Sequence, residues 1–151
     1  MTDAADRLRQ KALRLLALRE HSRAELARKL DGLGTPDEVE ATLERMAELG
    51  LQSDRRFAES WVRSKAGRFG TARLRMDLAR RGIDADTIVE VLGAADAGTD
   101  IERARAVWAT KFGTLARDRR EWARQARFLQ GRGFSTDVIA KLLKEGPDEP
   151  A

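Results

Sequence analysis

Apolar residues recur every three or four positions along almost the whole chain, and no stretch alternates as a half-buried strand would. Start and stop residues cut this helical pattern into nine segments. The first runs from about Ala4 to Glu20, with Leu8, Ala12, Leu15, Leu16 and Arg19 sharing one side. Ser22-Arg23-Ala24-Glu25 has the spacing of a capping box, so a second helix begins there and stops at Asp31-Gly32. Thr35-Pro36-Asp37-Glu38 repeats the box with proline at the first helical position, and opens a third helix through Val39, Leu43 and Met46 to Gly50. Ser53 caps a fourth, holding Phe57, Trp61 and Val62 and ending at Gly67. Thr71 opens a short fifth helix that closes at Gly82, and Asp84 caps a sixth with Ile88, Val91 and Leu92 as its apolar edge. Thr99-Asp100-Ile101-Glu102 has box spacing again and predicts the start of a seventh, carrying Ala104, Trp108 and Phe112 to Gly113. An eighth spans about Arg117 to Gly131, and Ser135 caps the ninth, with Ile139, Leu142 and Leu143. The terminal EGPDEPA is polar and proline-bearing and is expected to fray.

The nine segments fall into three groups of three. Leu78, Gly82, Ile83, Ile88, Val91 and Leu92 map onto Leu129, Gly133, Phe134, Ile139, Leu142 and Leu143 at a constant offset of 51. Leu26, Leu30, Gly34, Val39 and Leu43 keep the order with a one-residue slip. The expected fold is therefore all-α, with three tandem three-helix repeats over residues 1–50, 51–98 and 99–145 and a polar tail at 146–151. A three-helix unit of this length buries little alone and gains the rest by stacking on its neighbour.

Composition narrows the chemistry. The absence of cysteine excludes a disulfide framework, a thiolate metal site and a cysteine nucleophile, and the lone His21 cannot build a histidine-rich metal site. No 18-residue apolar run is present, and MTDAADRLRQ has no apolar core of a secretory signal, so a cytoplasmic protein without a membrane partner is expected. No phosphate-binding glycine loop, dinucleotide fingerprint or zinc-protease motif appears, and the acid pairs lie on helices that read as solvated faces. The expectation is a protein that is not an enzyme and takes no cofactor.

Charge follows the repeat. The 151 residues carry a net charge of only +4, yet residues 1–30 sum to +4, 31–50 to −5, 52–82 to +6, 83–102 to −6 and 103–132 to +7. Helix dipoles favour acids at N-termini and account for Asp37, Glu38, Asp84 and Asp86. They do not account for six acids and no base over 83–102. Stacking in register would line up the basic helices into one stripe and the acidic helices into another, and a basic stripe attracts and orients a polyanion with strong salt dependence. Arginine outnumbers lysine 23 to 6, which suits phosphate and carboxylate recognition as well as a compositional bias.

Candidate contact residues are Arg63, Lys65, Arg68, Arg73, Arg75, Arg80 and Arg81 in the middle group and Arg120, Arg124 and Arg127 in the last. At 100° per residue, Arg75 falls inside an arc of Leu74, Leu78, Ala79, Ala72 and Met76, either as a buried fork or with a snorkelling stem, while Arg73, Asp77 and Arg80 fall opposite. Gly67-Arg68-Phe69-Gly70 resembles a nucleic-acid-clamping loop only in its letters and reads as a helix stop followed by a turn. Trp61 and Trp108 belong with Phe57 and Phe112 on core faces. Trp122, among Arg119, Arg120, Arg124 and Arg127, fits either a core or a base-stacking role. His21, ahead of its cap, reads as a loop residue.

Four stretches carry a family resemblance. Ala17 to Leu26 (ALREHSRAEL) resembles the first-unit signature of the RecX family, bacterial regulators of the RecA recombinase, and Asp54 to Ser64 (DRRFAESWVRS) its second-unit opening. Arg73-Leu74-Arg75 through Leu78 and Arg80-Arg81-Gly82-Ile83 resemble the following helix, and Arg127 to Ser135 (RFLQGRGFS) the third-unit turn. The sequence departs where Trp61 replaces a common tyrosine, Arg55 a common acid, and Gly34-Thr35-Pro36 a Gly-Phe-Asp type of turn. The resemblance implies an elongated, curved stack of three-helix repeats. It also implies a monomer that binds the RecA–DNA filament, inhibits recombinase, ATPase and co-protease activities, and touches single- or double-stranded DNA weakly and non-specifically. A different class of reading is a stand-alone DNA-binding module of helix-turn-helix type, and a third is a passive helical scaffold.

Overall fold

The computed structural model describes residues 3–93 and 97–144; the polar tail expected over 146–151 lies outside them. Nine helices and no strand are found among the described residues: α1 (Asp3–Leu18), α2 (Arg23–Leu30), α3 (Pro36–Glu48), α4 (Asp54–Lys65), α5 (Thr71–Arg80), α6 (Ala85–Leu92), α7 (Ala97–Lys111), α8 (Arg119–Gly131) and α9 (Thr136–Leu143). Helix starts follow the local caps. Two of the three expected boxes close: the Glu25 N–H donates to Ser22 Oγ at 3.1 Å and the Ser22 N–H to Glu25 Oε1 at 3.1 Å, with the same reciprocal pair between Thr35 and Glu38. Ser53, Asp84, Asp118 and Ser135 each accept an N–H from the first turn of α4, α6, α8 and α9. Each such cap contributes about 1 kcal/mol.

α7 is an exception. It starts at Ala97, so Thr99 and Asp100 lie inside the helix rather than opening it. The Asp100 carboxylate is taken by another element: Thr71 donates its N–H at 3.3 Å and its hydroxyl at 2.9 Å, and Arg103 donates at 3.3 Å. The box spacing is there, but the box does not form, and Asp100 beside the expected cap joins α5 to α7 instead.

The residues form two compact units, the chain up to Trp61 with Leu78–Val91, and Val62–Asp77 with the chain from Leu92 onward. The boundary cuts through α4 and α5. In the first unit, α1 packs chiefly on α3 around Leu8, Ala12, Leu26, Leu30, Leu43 and Met46. In the second, α7 packs on α9 around Ala104, Val107, Leu129, Phe134, Val138, Ile139 and Leu143.

The repeat holds at the level of single bonds. Ile83 N–H donates to the Leu78 carbonyl and Gly82 N–H to Ala79; 51 residues on, Phe134 donates to Leu129 and Gly133 to Gln130. Gly82 and Gly133 have φ of +84° and +93°, a region that side chains disfavour. Leu78, Ile83, Ile88 and Leu92 are buried like their counterparts Leu129, Phe134, Ile139 and Leu143. The first repeat differs in its turn: Gly32, not Gly34, has the positive φ. Counted back from the caps Thr35, Asp84 and Ser135, Gly34 sits where Ile83 and Phe134 sit. A Cβ there would meet Leu8 Cδ1 at 2.7 Å, so α1 supplies the apolar group that the turn lacks.

Candidate basic interaction surface

On α8, Arg120, Arg124 and Arg127 stand at i, i+4 and i+7, which is one helical face, and all three are exposed. Trp122, Gln125, Ala126 and Leu129 occupy the other side. Trp122 packs against the core of the second unit, which settles its role as structural. Trp108 is held the same way, with its indole N–H donating to Gln125 Oε1 at 3.0 Å while Gln125 Nε2 donates to the Thr114 carbonyl. Below the arginine face, the backbone N–H and side chain of Arg117 hold the Glu121 carboxyl below its ordinary range.

α5 does not follow the expected arc. Leu74, Asp77 and Leu78 face inward, whereas Ala72, Arg75, Met76 and Ala79 are exposed. Arg75 is therefore neither a buried fork nor a snorkelling stem; it is a surface arginine among small and apolar neighbours. Asp77, expected on the open side, is buried, and Arg73 Nε donates to it at 3.2 Å. The salt bridge lets a carboxylate take an inward position that apolar periodicity assigns elsewhere.

The second unit contains Arg63, Lys65, Arg68, Arg73 and Arg75 from the middle repeat together with Arg120, Arg124 and Arg127; Arg80 and Arg81 belong to the first. Arg63, Arg68, Arg75, Arg80, Arg120 and Arg127 have no carboxylate partner among the described residues. Arg73 is bound to Asp77, and Arg81 lies with its guanidinium 3.8 Å from the Trp61 ring centroid. Within the second unit, the turn after α4 is locked to the turn after α8. Gly70 N–H donates to the Arg132 carbonyl at 2.9 Å, and a Cβ on Gly70 would fall 2.5 Å from the Gly133 oxygen. That contact sets Arg68 beside Arg132 and Lys111, two cations outside the candidate set. Arg132 lies 51 residues after Arg81, a signal the repeat offset contains.

Part of the segregated charge cancels inside the fold. Arg23 pairs with Glu40 and Glu44, Arg55 with Glu90, and Arg56 with Glu20. The acidic α3 and α6 thus bind the basic helices of their own repeats, which reduces what an acidic stripe can offer a partner.

His21 is a loop residue, as expected, but a buried one. Its Nδ1–H donates to the Arg19 carbonyl at 3.1 Å, which leaves Nε2 to accept from Lys29 Nζ at 3.1 Å. Burial lowers its pKa, and the cations Arg19 and Lys29 add to that against the pull of the Arg19 carbonyl and Glu25. The imidazole is neutral and structural.

Comparison with known proteins gives a consistent result. Three family models match in order, described as the first, second and third three-helix domains of RecX, over residues 9–46, 53–92 and 99–143. The chain is 47% identical over 138 residues to the regulatory protein RecX of Leptothrix cholodnii, covering 91% of this chain and 87% of that one. It is 43% identical over 143 residues to that of Chromobacterium violaceum, covering 94% and 92%. The crystal structure of RecX from Lactobacillus salivarius superposes with a TM-score of 0.81 at 22% identity, over 95% of this chain and 97% of that one. With its three domains matched in order and its length matched nearly end to end, this chain, an all-α tandem repeat, belongs to the RecX family of regulatory proteins.

Proposed function

We propose that this chain is a non-enzymatic, cytoplasmic negative regulator of the RecA recombinase. It acts as a monomer that binds the RecA–DNA filament and inhibits recombinase, ATPase and co-protease activities. The observation that carries this reading is the set of exposed arginines without carboxylate partners: Arg63, Arg68, Arg75 and the α8 row of Arg120 and Arg127. Arginines held on packed helices are already oriented for a polyanionic filament or an acidic protein face, and the attraction weakens as salt rises. Modules corresponding to 1–50, 51–98 and 99–145 would each present part of that contact.

The test is titration into a RecA–single-strand ATPase assay at two salt concentrations. The wild type suppresses ATP hydrolysis, more strongly at low salt. A variant with Arg63, Arg75 and Arg80 each replaced by glutamate, shown to be folded by its helical circular dichroism, loses suppression. Full suppression by that variant overturns the contact assignment. Tight duplex binding without RecA at physiological salt would instead support a stand-alone DNA-binding module.

A further inference from the structure

The turn Gly67-Arg68-Phe69-Gly70, which reads as a mere helix stop in the sequence, forms one wall of a cleft in the second unit. The cleft measures about 320 Å³ and is lined by Gly67, Arg68, Val107, Thr110, Lys111, Phe128 and Arg132. Three of these are cations and none is an acid. Some arginines elsewhere in this unit find carboxylates: Arg73 with Asp77, Arg103 with Asp100, Arg117 with Glu121. Arg68, Lys111 and Arg132 have no such partner among the described residues.

Two of the three, Lys111 and Arg132, lie against rings instead. The Arg132 guanidinium lies 4.9 Å from the Phe128 centroid and 5.5 Å from that of Phe69, and Lys111 Nζ lies 5.3 Å from Phe128. Phe128 is braced edge-on by Phe112 at 5.4 Å. Cation–π contacts orient a charge without neutralising it. The bond from Gly70 N–H to the Arg132 carbonyl holds the two turns together. The cleft is thus a positive site with Lys111 and Arg132 oriented by rings, and Val107 and Phe128 give it apolar walls beside Thr110.

We infer that this cleft binds one nucleotide of single-stranded nucleic acid, with the phosphodiester between Arg68, Lys111 and Arg132 and the base against Val107 and Phe128. The mixed lining favours a single strand: a duplex keeps its bases stacked and offers the cleft only phosphate, whereas an unpaired nucleotide presents both an anion and an apolar face. The site deepens the proposed function, resting on it for the expectation that nucleic acid lies within reach. It assigns Lys111, Arg132 and Phe128, none of them in the candidate set.

The test uses the full chain and a fluorescein-labelled oligothymidylate of about 15 nucleotides, read by anisotropy without RecA. Arg68→Ala and Lys111→Ala should each weaken binding about fivefold and lower the slope of log affinity against log salt by roughly 0.7. Phe128→Leu, which keeps the apolar volume, should weaken it about tenfold, while Lys141→Ala leaves it unchanged. Thermal melts near wild type confirm that each variant is folded. Wild-type affinity in both cation variants overturns the site. So does a duplex of equal length that binds as tightly and loses as much, or polyglutamate that displaces the strand as effectively as unlabelled oligothymidylate. Because RecA is absent, the two failures separate. Loss of strand binding in the variants beside a wild type that leaves RecA ATPase untouched supports the cleft and defeats the regulatory reading, and the opposite pair of results does the reverse.

Discussion

Replacing Gly133 by alanine tests how the second unit is held together. Its φ of +93° alone costs a side chain roughly 1–2 kcal/mol. The close approach adds to this: the new Cβ would lie 2.3 Å from Arg73 Cβ, 2.6 Å from Arg73 N and 3.0 Å from Arg73 Cα. Two of these are backbone atoms, so no rotamer change relieves the contact, and α5 must move off the α8–α9 turn. Overpacking of that kind costs about 1–3 kcal/mol, which puts the total near 3 kcal/mol. Gly50 is the control, since its φ is +73° but a Cβ there meets nothing within 4 Å. Gly50→Ala should therefore cost only about 1 kcal/mol. In thermal melts followed by circular dichroism, Gly133→Ala corresponds to a drop of roughly 10 °C and Gly50→Ala to one of roughly 3 °C. Equal drops would refute the claim that contact between the glycine turn and Arg73, rather than backbone conformation, is what this position requires.

Ser22→Ala removes a fully buried hydroxyl that accepts from Glu25 N–H and donates to the Arg81 carbonyl at 2.7 Å, and should cost about 2 kcal/mol in urea unfolding. Asp100→Ala leaves the half-buried Arg103 and Thr71 without their acceptor and should cost about 2 kcal/mol, while Asp100→Asn, which keeps one acceptor oxygen, should recover part of it. The buried, neutral His21 has its pKa below the ordinary 6.5, so the unfolded chain takes up a proton first as pH falls. Stability should be full well above about pH 6.5 and decline as pH falls through and below that value, and a His21→Asn variant should show a flatter decline there.

The helix caps and the repeat were legible because both are local. A serine three residues before a glutamate closes its own ring of bonds, and a glycine turn repeated at an offset of 51 needs no distant partner. What was illegible depended on residues far along the chain. Asp100 lies next to an expected cap at Thr99, yet Thr71, 29 residues earlier, takes its carboxylate and the helix starts upstream at Ala97. Asp77 reads as polar and therefore outward, yet Arg73 pairs with it and allows it inside, which turns the Ala72, Arg75, Met76 and Ala79 face to solvent. Segment charge was readable by counting. Its cancellation through Arg23, Arg55 and Arg56 required knowing which acids each arginine reaches.

Arg81 and Arg132 show why a tally of basic residues misjudges such a surface. They occupy the same step of two repeats, directly before Gly82 and Gly133, and each lays its guanidinium over an aromatic ring. The repeat geometry therefore supplies the stacking, whatever the partner. The surroundings supply the difference. Arg132 shares its ring with Lys111 and lines a cleft with Arg68, with no acid in the lining. Counting bases along the chain does not separate the middle repeat from the last, since residues 52–82 and 103–132 hold nine each. Asking which cations are oriented and left uncompensated favours the turns around Gly70 and Gly133 instead. If that criterion holds, Arg132→Ala should lower oligothymidylate affinity more than Arg120→Ala, although both remove one arginine from the same unit; equal losses would mean that net charge alone attracts the strand.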